Sequence, residues 1–167
     1  MNEPIIPKQF VSIVKEAVQP SLVQLFDADS VAGHIHIVFA TINSLKAFMQ
    51  GRRIANSLDV EILLYVSAQR QISKAIEKVG LRVDTARVAA VIIADDDKHL
   101  EEAGKRLDSV IPGRRDDSVL DISESKIARL MELYDVNELE MQAVDLALKD
   151  ALSWLIVERC ALLNVRR

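Results

Sequence analysis

Residues 34–49, HIHIVFATINSLKAFM, admit two readings, and the fold class turns on which one holds. His34 to Ile37 alternate polar and apolar, as a half-buried strand does. Ile35, Val38, Ile42, Leu45 and Met49, however, recur at spacings of three and four over four helical turns. A strand of that length would be unusual. The stretch therefore reads as a helix closing near Gly51, with the helix-starting residues Asp27, Asp29 and Ser30 ahead of it.

Working toward the N-terminus, Leu22 to Phe26 is a short apolar run and reads as a buried strand. Phe10, Ile13, Val14, Ala17 and Val18 predict a helix over 8–18, bracketed by Pro7 and Pro20. Toward the C-terminus, Asp59 can cap a helix carrying Ile62, Leu63 and Val66, with a break near Gln69 and Arg70. Ile72, Ala75, Ile76 and Val79 follow on another helix that Gly80 stops. Val88 to Ala94 is the best strand pattern, uncharged and apolar on both faces, as in a central strand. Asp95 to Asp97 open a helix to about Val110, and 112–118, PGRRDDS, is a loop. Ser123 and Lys126 flank the start of a helix with Ile127, Leu130, Met131 and Tyr134; 135–145 offers an edge strand; the last helix runs from Leu146 to Asn164. Helices outnumber strands. The expected fold is α/β in the α+β sense: a small central β-sheet packed by several helices, in one domain over 1–167.

Half of the residues are hydrophobic and only 4% aromatic, so the core must be aliphatic. The net charge of -4 argues against coating nucleic acid by bulk charge, while leaving room for a local basic patch. Cys160 is the only cysteine, which rules out an internal disulfide and a cysteine zinc site and suits a cytoplasmic protein. Met1 to Pro7 lacks a signal pattern, and no apolar run approaches the ~20 residues of a membrane span.

The search for chemistry comes back empty. His34 and His36 share a face only on a strand, so on a helix one is exposed and one packs. Asp95, Asp96 and Asp97 follow a strand, where carboxylates can hold a divalent cation; the competing reading is a helix start. No phosphate loop and no nucleophile elbow occurs. Cys160, among Ile156, Val157 and Leu163, reads as packing. The expectation is no catalytic residue, no metal, no cofactor and no small-molecule substrate. Two features remain. Lys46, Arg52, Arg53, Arg70 and Lys74 form a local basic group suited to phosphates and unpaired bases, against the alternative of solvated turns. The last helix is apolar nearly all round, with Trp154, Val157 and Ala161 opposite the Leu152–Ile156–Cys160 face, so one side can meet a partner.

The ordered series GRRIANSLDVEILLY (51–65) and RQISKAIEKVGL (70–81), with Phe26-Asp27-Ala28, Gly33 to His36 and VERCALL (157–163), resembles the small subunit of the KEOPS complex, the PRPK-binding protein family of eukaryotes, in its archaeal type. The resemblance covers about residues 22–164. It implies a non-catalytic subunit of the complex that installs threonylcarbamoyl on a tRNA adenosine. Such a subunit binds a small atypical kinase-like ATPase and recruits tRNA through its 3′ CCA end. On this chain it implies tRNA contacts by Lys46, Arg52, Arg53, Arg70, Gln71 and Lys74, and a kinase interface at Trp154, Val157 and Ala161. Asn56 stands where another basic residue is expected, which favours a kinase adaptor without RNA binding as the alternative. Glu61 reads as a local structural acid.

Overall fold

Two strands organise the molecule, described over residues 7–165 of a computed structural model. β1 (Leu22–Asp27) and β2 (Val88–Ile93) pair antiparallel, from Leu22 opposite Ile93 to Asp27 opposite Val88. Around them lie α1 (Pro7–Ala17), α2 (Gly33–Met49), α3 (Leu58–Ser67), α4 (Ile72–Val79), α5 (Asp97–Val110), α6 (Glu124–Tyr134), α7 (Glu138–Ala143) and α8 (Leu148–Ala161). The fold is α+β, as the helical reading of 34–49 requires.

The period of a strand sends alternate side chains to opposite faces. Val23 and Leu25 of β1 meet Val14 of α1, Val18 just beyond its end, and Ala103 and Leu107 of α5. Phe26 and Ala89 face the other way, into a larger cluster with Ile37, Ala40, Leu64, Leu130, Leu152 and Ile156. The core is aliphatic, each fully buried Leu, Ile or Val contributing about 1.5–3 kcal/mol relative to exposure.

Four expectations are corrected. Among the described residues β2 has β1 as its one strand neighbour and is buried fully only at Ala89, so it is an edge strand, not a central one. Residues 138–143 form α7, not an edge strand, because Asn137 and Glu140 close a reciprocal capping box. Ser57 occupies the cap position of α3, while Asp59 sits in its first turn and accepts from Lys15 Nζ at 2.5 Å. Asp27 caps a 3-10 turn over Ala28–Ser30, and α2 begins only at Gly33. Gly80 does end α4, but at φ -73°. The glycine is needed for space, since a Cβ there would lie 2.5 Å from the Ile76 carbonyl oxygen.

A buried polar clamp ties α2, α3, α6 and α8 together. The Val66 carbonyl, at the end of α3, lies 2.9 Å from His36 Nε2 and 3.0 Å from the Tyr134 hydroxyl, with Cys160 Sγ at 3.7 Å. The Ala32 N–H donates to His36 Nδ1 at 3.0 Å, which places the ring proton on Nε2, facing Val66. One imidazole thus ties the start of α2 to an orphan carbonyl at the end of α3. Burial lowers the His36 pKa from 6.5 to about 4, and burial pushes the Cys160 thiol up to about 12. Below 6.5 the unfolded chain takes up a proton that the native ring refuses until about 4, so this contribution is lost as pH falls across that interval. The expected loss is about 3 kcal/mol. Urea unfolding over this range should show it, and His36→Met should remove that part of the slope whatever its own baseline. A difference between the two proteins that stays flat with pH rules His36 out as the cause.

Candidate docking face and nucleic-acid contacts

α2 turns its small and polar residues inward. His36, Ile37, Ala40, Thr41, Ser44 and Ala47 are buried. Small residues let α2 approach α3 and α8 closely, and the bulky ones are left outside. Ile35, Phe39, Ile42 and Met49, spaced four, three and seven apart, form an outward stripe, with Met49 86% exposed. It extends for about 21 Å along the helix.

α8 continues this surface. Trp154 is 41% exposed, and its ring meets Phe39 edge-on, centroids 5.3 Å apart at 66°. Trp154, Val157 and Ala161 share one face of α8. Ala161 is exposed, whereas Val157 keeps only 6% of its surface. The opposite side of α8, with Leu152, Ile156 and Cys160, is fully buried. Of the three α8 residues expected from sequence at an interface, Trp154 and Ala161 are exposed and Val157 is buried, and sequence reasoning did not single out the outward stripe of Ile35, Phe39, Ile42 and Met49. The signal available was a helix apolar on more faces than one neighbour can cover.

The basic residues divide into two groups. Lys46 lies in the last turn of α2, and Arg52 and Arg53 in the turn that follows; all three are exposed. Arg70, Gln71 and Lys74, also exposed, lie beyond the far end of α3, whose ten residues span about 15 Å. Arg53 stands over the Phe48 ring, 4.9 Å from its centroid, and Arg70 donates to the Leu163 carbonyl at 3.1 Å. The two groups lie at opposite ends of α3.

Glu61 builds the turn between α2 and α3. Its side chain is fully buried, and its carboxylate accepts the Ile54 N–H, 3.0 and 3.2 Å from its two oxygens, and the Ala55 N–H at 2.6 Å. This bears out a local structural role. His34 is exposed and His36 packs. Asp96 caps α5 by accepting the His99 N–H at 2.8 Å; the other oxygen of its carboxylate meets His99 Nδ1 at 2.8 Å. These bonds hold its carboxyl below the usual range. Among the described residues no cluster of three potential metal ligands occurs, and no helix is long and apolar enough to cross a membrane.

A broad apolar face spans two packed helices, and arginine-bearing turns flank both ends of a third. The chain belongs to the family described as kinase binding protein CGI-121, whose profile matches residues 4–164. It is 35% identical over 113 residues to the regulatory protein Cgi121 of Methanocaldococcus jannaschii, covering 68% of this chain and 70% of that protein. A segment of 49 residues is 43% identical to the KEOPS complex subunit Cgi121 of Pyrococcus abyssi, covering 29% of each chain.

Proposed function

We propose that this chain is a non-catalytic regulatory subunit of a KEOPS complex, which binds the small atypical kinase subunit through α2 and α8 and recruits tRNA by its 3′ CCA end. The observation that carries the reading is the outward α2 stripe joined to α8 by the Phe39–Trp154 contact. Exposed apolar surface of this continuity marks an interaction site, and the family is kinase-binding by its description. Trp154 and Phe39 are anchors of the kind that dominate interface energetics. Calorimetric titration of the kinase subunit tests this arm directly.

The RNA arm is supported by the exposed Arg52 and by Arg70, Gln71 and Lys74 at the far end of α3. Guanidinium groups suit a single-stranded end, which offers phosphates and unstacked bases together. Intact tRNA should bind about tenfold more tightly than tRNA lacking CCA, and Arg52→Glu or Arg70→Glu should erase that difference. Equal binding of both RNAs with a steep salt dependence would indicate charge alone. The adaptor reading, kinase binding without RNA, would then stand. It is favoured by the separation of the two basic groups and by the contacts that already hold Arg53 and Arg70.

A further inference from the structure

β2 lacks the protections that free strand edges usually carry. Its sequence, VAAVII, has no charge and no proline, whereas exposed edges are ordinarily blunted by lysine, proline or a bulge. The register shows which backbone groups face outward. The Ala28 N–H donates to the Arg87 carbonyl at 3.0 Å, one step beyond the Asp27–Val88 pair. Antiparallel ladders alternate, so Ala89, Val91 and Ile93 bond inward to β1, while Val88, Ala90 and Ile92 turn N–H and C=O to the open edge. Among the described residues, no backbone group bonds to those three on that side.

We propose that two copies of the chain pair through β2, antiparallel about a two-fold axis at Ala90, to form a continuous four-stranded sheet. Ala90 then faces its own copy and Val88 faces Ile92. Two observations select a second copy over an unrelated strand. Ala90 is exposed, so a methyl group stands at the centre of the pairing and nothing bulky blocks close approach there. The flanks of β2 also differ in charge: Arg82, Asp84 and Arg87 precede it with a net positive charge, and Asp95, Asp96, Asp97 and Lys98 follow it with a net negative one. Antiparallel self-pairing sets the basic flank of each copy beside the acidic flank of the other. Arg87 falls opposite Ile93, diagonal to Asp95, within reach of a long side chain. Arg87 pairs with Asp29 in its own chain but keeps 42% of its side chain exposed.

Sedimentation of the full chain over a concentration series tests this, independently of the kinase and RNA readings. The wild type should dimerise, and less so at high salt. Ala90→Lys sets two like charges face to face at the axis and should give a monomer with an unchanged circular dichroism spectrum and melting temperature. Ala90→Cys should give a disulfide-linked dimer on oxidation, since paired strands hold facing Cα atoms about 5.5 Å apart; the native Cys160 is buried and does not compete. Asp95→Lys should lower the dimer fraction. A wild type that stays monomeric at every concentration, with no cross-link in Ala90→Cys, overturns the proposal. So does a dimer that survives Ala90→Lys, which would use another face. A monomer whose Ala90→Lys variant loses a binding partner would assign the edge to a foreign strand, and would also overturn it.

Discussion

Phe39→Asp should weaken binding of the kinase subunit about a hundredfold while leaving the chain folded. Phe39 is 39% exposed and Trp154 41%, so each ring rests partly in the protein and offers its remainder to a partner. Their edge-on contact holds both rings in place before binding, which reduces the ordering cost of association. Truncating an aromatic anchor at an interface costs about 2 kcal/mol or more. A carboxylate stranded without a partner in the same contact adds to that. Within the free chain the substitution loses the ring pair, about 0.5–1.5 kcal/mol, and the partly buried area of the ring, about 1–2 kcal/mol. Trp154→Asp should behave likewise. Val157→Arg is less informative, because a residue with 6% exposure risks unfolding α8 rather than disturbing its surface. Leu139→Asp, at a side chain 77% exposed on α7 and away from this face, serves as the control and should bind normally. Calorimetry would give each Kd. Full affinity in folded Phe39→Asp and Trp154→Asp would place the kinase elsewhere.

The sequence showed that residues 34–49 are helical but not which side is buried. Hydrophobic periodicity assumes that the bulkiest apolar residues go inward. α2 inverts this, with Ala40, Ser44 and Ala47 inside and Ile35, Phe39, Ile42 and Met49 outside. The inversion follows from close approach of α2 to α3 and α8, which only small residues allow on the inner side. The same assumption misread β2. An uncharged run suggests burial on both faces, yet among the described residues its sheet has two strands and nothing pairs with its outer edge. α7 was legible in the Asn137–Glu140 capping box, where 135–145 suggests an edge strand to a reading of apolar pattern alone. The basic residues were found individually, but chain order brought Arg52 and Arg70 closer than α3 allows. Cys160 was read as a packing residue and is buried, whereas the sequence left open which of His34 and His36 packs, and the structure buries His36.

Glu61→Ala should cost about 3–4 kcal/mol of stability and release the turn that carries Arg52 and Arg53. The carboxylate reaches back from the first turn of α3, where acids are favoured by the helix dipole, to the Ile54 and Ala55 amides. Removing it leaves those two N–H groups without their acceptor, at about 1–3 kcal/mol for each that stays buried, together with a cavity. Glu61→Gln preserves the volume but turns an NH2 toward N–H donors, so about half the loss should remain. Urea unfolding measures the total, and hydrogen exchange at Ile54 and Ala55 reports the turn itself. Because the outward face of α2 and α8 does not depend on this turn, kinase affinity should hold in folded Glu61→Gln while any advantage of CCA-bearing tRNA declines. Stability within about 1 kcal/mol of wild type in Glu61→Ala, with both amides still protected, would mean that the turn is held by its helices and not by the buried acid.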